Sequence, residues 1–172
     1  MHGNNEIGNI NDLKTISKIC EKNNVVFHSD TVQTVGHYAI DLNKINIQGI
    51  VGSAHKFHGP KGIGFLYLNN KHKISPFIHG GAQERNMRGG TENVYGIVGL
   101  SEALTLAYEN MATHKEKIIA LKSHMIESLK QKVKGVKFNG LSSDLDNSLY
   151  TVLNASIPNV EDQQMFLFNL DI

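Results

Sequence analysis

The stretch that decides the fold runs from Gly49 to Leu68 and reads GIVGSAHKFHGPKGIGFLYL. Ile50 and Val51 form a short apolar run between glycines, which predicts a buried strand. Lys56 follows the carboxyl end of that strand, where open α/β sheets place their ligands. Desolvation there would disfavour the ammonium form and leave a nucleophilic amine able to form a Schiff base. A surface lysine after a strand is the alternative, and this stretch alone leaves both open.

Two further apolar runs extend the predicted sheet. The connection from Lys56 to Ile63 is too short for a parallel crossover, so the following strand at Phe65–Leu68 should run antiparallel. Val25–Phe27 predicts an earlier strand that runs into Asp30, after a helix. The order helix, strand, connection, strand is typical of a parallel α/β sheet, which here has three visible strands.

Helical periodicity predicts the other elements of the first part of the chain. Apolar residues from Leu13 to Cys20 recur at helical spacing and Asn23 ends the run, so Cys20 should face the core. Residues 76–92 are polar and glycine-rich, and a loop of this length in a compact protein is usually functional or at an interface. A helix then runs from about Val94 to Met111, and its continuation beyond His114 is open.

The pattern changes to α+β after about residue 115. Val136–Phe138 predicts a short strand, and the alternation from Ser148 to Ile157 predicts another. In the last helix, Asn159 is placed to cap and Asp162 to favour the first turn. We therefore expect a first domain at 1–93, a connecting helix at 94–115 and the start of a second domain at 116–172.

Composition excludes several function classes. A net charge of +1 in 172 residues gives no electrostatic footprint for nucleic acid or membrane partners. No apolar run approaches the about 20 residues of a membrane span, and the polar start lacks the features of a signal peptide. The nine histidines show no metal-site spacing, and the single cysteine fits a reducing compartment. We expect a cytoplasmic protein without a metal site.

Polar residues suited to one cofactor should meet at one edge of the sheet. Asn5 precedes a helix, Asp30 and Gln33 follow one strand, and Ser53, His55 and Lys56 follow its neighbour. Pyridoxal phosphate needs a carboxylate that keeps its pyridine nitrogen protonated, so that the ring acts as an electron sink. It also needs amide donors at the ring hydroxyl, a lysine for the aldehyde, and hydroxyl or imidazole donors for the phosphate. An aspartate after a strand is also a common cap.

Four motifs resemble those of one enzyme family. They are HGNNEIG at 2–8, FHSDTVQTVG at 27–36, SAHKFHGPKGIGFLYL at 53–68 and GGAQERNMRGGTENVYGIVGL at 80–100. Their sequence and order are similar to cysteine desulfurases, in the class-V aminotransferase branch of the fold-type I pyridoxal-phosphate enzymes. The resemblance implies an α/β large domain, with a mostly parallel sheet and one antiparallel strand, followed by part of an α+β small domain.

The resemblance also implies roles for named residues. Lys56 would hold the cofactor aldehyde covalently and act in catalysis with His55, and Asp30 would pair with the pyridinium nitrogen. Asn5 and Gln33 would meet the ring hydroxyl, and Ser53 and His55 the phosphate. Thr91 would reach the phosphate of the partner subunit, which implies a homodimer. Gly89 stands where the family usually has serine.

The implied activity transfers sulfur from L-cysteine to an enzyme cysteine persulfide and releases L-alanine, for iron–sulfur cluster or thio-cofactor synthesis. A sulfur-acceptor or scaffold protein would be a further partner. Family members carry half a large domain before HxNNE, and a nucleophilic cysteine loop and a substrate-binding arginine after the last helix. We therefore expect this chain to be an internal fragment, inactive alone, because Cys20 lies in the wrong element to substitute. The alternatives are another class-V enzyme (an aminotransferase or selenocysteine lyase) and an inactive truncated module.

Overall fold

A computed structural model describes residues 1–160 and 162–170. The chain divides into two compact units. The first comprises Met1–Gly3 and Asn11–His114, and the second comprises Asn4–Ile10 with the described residues of Lys115–Ile172. The two units are not consecutive along the chain, because residues 4–10 belong to the second unit. The domain boundaries expected at 93 and 115 stay predictions.

The first unit contains a three-stranded sheet in the described part of the chain. Its strands are β1 (His28–Asp30), β2 (Gly49–Ser53) and β3 (Gly64–Leu68), in that spatial order. β1 and β2 are parallel, and β2 and β3 are antiparallel. The antiparallel pairing confirms the prediction from the short connection, and the parallel pairing confirms the prediction from the order of the elements. The parallel register places Asp30 opposite Val51, so the two strands end at the same edge of the sheet.

The first strand begins later than the sequence predicts. Val25 and Val26 are 55% and 66% exposed and precede β1, although the backbone carbonyl of Phe27 accepts from the Gln48 N–H. The Val25 N–H instead donates to the Cys20 carbonyl at 2.9 Å, which closes the turn after the preceding helix. Val25 and Val26 therefore belong to the connection between α1 and β1, because the Val25 N–H is hydrogen-bonded within the turn that ends the helix.

Three helices belong to the first unit: α1 (Leu13–Lys22), α2 (Gln83–Asn86) and α3 (Val94–Glu109). The Asp12 carboxylate caps α1 by accepting the N–H groups of Lys14 and Thr15 at 2.9 and 3.1 Å. α2 is a single turn within the predicted irregular loop, and its residues Glu84, Arg85 and Asn86 have positive φ.

Two apolar clusters stabilise this unit. One is built on Leu13, Phe27, Ile47 and Ile50, with Cys20 packed against it, which confirms the predicted packing role of the cysteine. The other includes buried and half-buried residues from three places: the segment between β1 and β2 (31–48, the β1 connection), the turn after β2, and α3. They include Val35, Ala54, Phe57, Leu100, Ala103, Leu104 and Ala107. The second cluster fixes the segment that carries Lys56.

The helix predicted from about Val94 does not continue into the following segment, and a separate helix begins after it. Asn110 closes α3 with φ −101° and ψ 5°, and α4 (Met111–Lys132) starts immediately afterwards. The second unit also contains β4 (Lys137–Phe138), paired antiparallel with β5 (Ala155–Ser156), and α5 (Gln163–Leu170). Every helix in residues 1–160 and 162–170 is too short or too polar to cross a bilayer.

Two local predictions for the second unit are wrong. The alternation over 148–157 predicts one strand, but the strand is limited to Ala155–Ser156, because Leu149 and Tyr150 are both buried and the Val152 N–H closes a turn onto the Leu149 carbonyl. Consecutive buried side chains do not fit an alternating strand. Asn159 does not cap the last helix.

The cap of α5 is Asp162. Its carboxylate accepts the N–H groups of Gln164 and Met165 at 3.1 and 3.0 Å. Asn159 has a φ of 57° and lies three residues before this cap. The predicted favourable effect of Asp162 on the helix start therefore has a direct hydrogen-bond basis.

Candidate functional site

Lys56 and Asp30 lie at the same edge of the first unit's sheet. Asp30 is the last residue of β1, and Lys56 lies in a 3₁₀ turn, Ala54–Phe57, that directly follows β2. The Lys56 side chain is exposed, so the predicted burial of its amine is wrong for this chain. The exposed amine is accessible to a ligand at this edge, and the carboxylate of Asp30 follows the neighbouring strand.

Local hydrogen bonds fix the end of β1. The Asp30 carboxylate is half-buried and accepts the Val32 N–H at 2.9 Å, and the Asp30 carbonyl accepts the His2 N–H at 2.7 Å. Thr31, which is fully buried, donates its hydroxyl to the Val51 carbonyl at 2.6 Å. The bond from Thr31 ties the end of β1 to β2, so Asp30 keeps a defined position relative to the strand that leads to Lys56.

Ser53 and His55 lie directly before Lys56, at the end of β2 and in the turn that follows it. Ser53 Oγ and His55 Nδ1 are 2.9 Å apart, which orients the imidazole on the hydroxyl. His55 is exposed, Ser53 is half-buried, and Gln33 is half-buried in the connection after β1. Hydroxyl and imidazole groups beside an exposed amine can donate hydrogen bonds to an anion such as a phosphate.

The turn that carries Lys56 rests on α3 and on the β1 connection. Phe57 and Ala54 are buried against the α3 residues named above. Gly36 has a φ of +79°, and a Cβ there would lie 2.8 Å from the Phe57 Cβ. Only glycine combines this backbone conformation with so close an approach, so the connection packs directly on the Lys56 turn.

Two histidines near this edge were not singled out by the sequence. His37 Nε2 is 2.9 Å from the Lys56 carbonyl oxygen, and His2 Nδ1 is 2.9 Å from Thr34 Oγ1. Burial lowers the pKa of the His2 imidazole, and the charge of the nearby α-amino group lowers it further. His2 belongs to the quoted HGNNEIG motif, which was a usable signal. His37 follows a glycine in a connection and carried none.

The other predicted site residues lie elsewhere in the chain. Asn5 belongs to the second unit, where its amide donates to Glu6 Oε1 at 2.6 Å in a turn capped by Asn4 Oδ1. Thr91 is exposed in the first unit, two residues before Asn93, the N-cap of α3. Five of the predicted residues belong to the first unit: Asp30, Gln33, Ser53, His55 and Lys56. The roles of Asn5 and Thr91 stay predictions.

The loop before Thr91 is closed by two glycines. The Gly89 N–H donates to the Ile78 carbonyl at 2.9 Å, and a Cβ on Gly89 would lie 2.6 Å from the backbone nitrogen of Gly80. Real Cβ atoms do not approach backbone this closely. The absence of the family's usual serine at this position therefore matches the local geometry.

The second unit contains a buried lysine that sequence reasoning missed. Lys122 is 6% exposed, and its ammonium donates to Ser148 Oγ at 2.7 Å and to the Leu149 carbonyl at 2.8 Å. Burial lowers its pKa, and the charge of Asp144 partly offsets that effect. Lys122 lies four residues from Ile118 and four from Ile126, so helical spacing places it on an apolar face of α4, which was a usable signal of its burial.

A family model described as aminotransferase class-V matches residues 1–171. The chain belongs to this family. Among curated class-V relatives, it is 44% identical over 167 residues to a cysteine desulfurase IscS of Clostridium botulinum (strain Hall), covering 97% of this chain and 42% of the relative. It is 41% identical over 172 residues to a cysteine desulfurase IscS of Dictyoglomus turgidum, covering 100% and 43% respectively.

Solved structures show the same class-V fold. A NifS-like protein matches with a TM-score of 0.86 at 38% identity, over 93% of this chain and 43% of the other. A NifS-like protein from Rickettsia africae matches with a TM-score of 0.89 at 32% identity, over 98% and 46% respectively. These matches confirm the predicted fold class and the predicted resemblance. The chain spans less than half the length of these relatives.

Members of the class-V family generally depend on pyridoxal phosphate. The donor set in the first unit fits this cofactor. It offers a carboxylate held by a backbone N–H, an accessible lysine amine, and a hydroxyl paired with an imidazole. These are the groups that a pyridinium nitrogen, an aldehyde and a phosphate require.

Proposed function

We propose that this chain is the cofactor-binding part of a pyridoxal-phosphate-dependent cysteine desulfurase. The protein would take the sulfur of L-cysteine onto an enzyme cysteine thiol, giving a persulfide and L-alanine. Family membership and relatives named cysteine desulfurase at 41–44% identity support this activity.

One observation carries the proposal. Asp30 ends β1, in register with Val51 of the parallel strand β2, and Lys56 lies in the turn that follows β2. A carboxylate and an accessible amine are thereby brought to one sheet edge, where α/β proteins bind ligands.

Each residue has a distinct task in the proposed site. The Asp30 carboxylate would accept a hydrogen bond from the protonated ring nitrogen and keep the proton on it, and Lys56 would hold the cofactor aldehyde covalently. When bound, the cofactor supplies an electron sink for bond cleavage at the substrate. Ser53 and His55 would donate to the phosphate, and the exposed imidazole of His55 is also placed to move a proton beside Lys56. Gln33 would donate its amide to the ring hydroxyl.

The remaining residues and partners complete the proposal. The resemblance also implies that Asn5 would meet the ring hydroxyl, and that Thr91 would reach the phosphate of a partner subunit in a homodimer. A sulfur-acceptor or scaffold protein would receive the persulfide sulfur, for iron–sulfur cluster or thio-cofactor synthesis. We place the protein in the cytoplasm.

Covalent trapping tests the assignment of Lys56. The chain is incubated with pyridoxal phosphate and reduced with borohydride, which converts the reversible link between lysine and cofactor into a stable amine. Peptide mapping should locate the label at Lys56. Lys61, five residues later and also exposed, is the matched internal control. Labelling of Lys61 in preference to Lys56 would overturn the proposed function.

A further inference from the structure

His37 contacts the backbone of the proposed cofactor-binding lysine. Its ring Nε2 lies 2.9 Å from the carbonyl oxygen of Lys56. A carbonyl oxygen only accepts hydrogen bonds, so Nε2 carries the hydrogen and donates it. We infer that His37 is a positioning residue for Lys56, holding its turn at a fixed place beside Asp30. This inference rests on the proposed function.

The Lys56 carbonyl needs such a donor because of where it lies. The 3₁₀ turn Ala54–Phe57 is four residues long, and its closing N–H groups, from His58 and Gly59, donate to the Ala54 carbonyl. The carbonyls at the end of a helix have no donor within that helix. The imidazole of His37 supplies one to Lys56, which fixes the peptide plane that follows the Lys56 Cα.

The segment that ends at His37 also carries Asp30 and Gln33, two other residues proposed to contact the cofactor. His37 directly follows the connection from Asp30 to Gly36, which contains Gln33. Gly36 packs against Phe57, and the His37 N–H donates to the Thr34 carbonyl at 3.0 Å. His37 therefore joins the segment of Asp30 and Gln33 to the turn of Lys56. Loss of that bond should loosen the lysine backbone while the β1 connection stays in place.

Two amide substitutions isolate the hydrogen bond. In His37→Gln, the side-chain nitrogen can occupy the place of Nε2 and donate to the Lys56 carbonyl. In His37→Asn, which is one methylene shorter, the nitrogen corresponds to Nδ1 and falls short of it. His37→Leu removes the donor while keeping apolar bulk. The Asn and Gln variants share polarity and charge, so their difference reports the donor position even where the Leu variant fails to fold.

The readout is the ratio of cofactor label at Lys56 to label at Lys61 after borohydride reduction of the full chain with pyridoxal phosphate. We expect His37→Gln to keep the ratio within about twofold of wild type. His37→Asn and His37→Leu should lower it roughly threefold to tenfold, the equivalent of one net hydrogen bond. General destabilisation affects both lysines alike, so a purely structural role would not change the ratio.

The outcomes separate this inference from the proposed function. Equal ratios in wild type and His37→Asn, with Lys56 labelled in both, would overturn the role of His37 and leave the role of Lys56 standing. Equal losses in the Gln and Asn variants would also overturn it, because donor position would then be irrelevant. Preference for Lys61 in wild type would overturn the proposed function itself.

Discussion

A lysine in the first unit and a lysine in the second unit are held by different parts of the residue, the backbone in one and the side chain in the other. In the first unit, the Lys56 side chain is exposed and its backbone carbonyl is held by His37. In the second unit, the ammonium of Lys122 is buried and held by Ser148 and Leu149. Burial by itself therefore does not identify the lysine that binds a cofactor. Lys56, the proposed cofactor lysine, has a fixed backbone and an exposed amine, whereas Lys122 is buried and serves as a hydrogen-bond donor within the fold.

The largest contrast should appear in cofactor trapping. Lys56→Ala should abolish the borohydride-stable label in peptides 53–68, because it removes the reacting amine. Lys122→Met should retain labelling at Lys56 to within about twofold, since its ammonium is already occupied by two acceptors. Peptide mapping of both variants measures this. Transfer of the label to Lys122 in wild type would reverse the comparison.

The next contrast concerns stability. Lys122→Met should lower the free energy of unfolding by about 1–3 kcal/mol, because it leaves the buried Leu149 carbonyl without this donor. Lys56→Met changes an exposed side chain and should stay within about 0.5 kcal/mol of wild type. Urea unfolding of the two methionine variants provides a matched pair. Equal losses would mean that the two lysines stabilise the fold alike.

A smaller contrast should appear at alkaline pH. Burial lowers the pKa of Lys122 below its ordinary 10.5, with Asp144 acting in the opposite direction. Between the folded pKa and 10.5 the unfolded state binds more protons, so stability gains from this group as the pH rises. The wild-type unfolding free energy minus that of Lys122→Met should therefore increase through that window. A difference that stays flat or falls would contradict the burial of the charged ammonium.

The smallest effect should belong to the first unit, at acidic pH. Burial lowers the pKa of His2 below its ordinary 6.5, so the unfolded state takes up this proton first as the pH falls. The stabilising contribution is complete above 6.5 and is lost as the pH falls through the folded pKa. Urea unfolding on both sides of pH 6.5 should show a steeper acid loss in wild type than in His2→Gln. Identical slopes would refute this role of His2.

Local rules predicted the sheet of the first unit well. The short link between Lys56 and Ile63 permits only an antiparallel return, and the longer link before Gly49 suits a parallel neighbour, as found. The apolar runs also placed Lys56 at the correct strand end. The exposure of the Lys56 side chain was not predictable in this way, because it depends on everything that surrounds the turn.

Long-range hydrogen bonds account for what the sequence missed. Asn9 Oδ1 accepts the Leu141 N–H at 2.7 Å, and the Leu149 N–H donates to the Gly8 carbonyl at 2.7 Å, which places residues 4–10 in the second unit. No periodic pattern reports a contact across 132 residues. The same holds for Lys122 and Ser148, whose hydrogen bond joins residues 26 positions apart.

The close approach of Gly89 to Gly80 limits how this protein can be redesigned. Consensus engineering replaces an unusual residue by the one that most relatives carry, and the family resemblance would select Gly89→Ser. Here the serine Cβ would meet the Gly80 nitrogen at 2.6 Å and the His79 carbonyl carbon at 2.7 Å. Both are backbone atoms, which cannot rotate away as a side chain does. A library that varies position 89 should therefore also vary residues 79–81 in the same clones, so that the facing side of the loop can adjust to the new side chain.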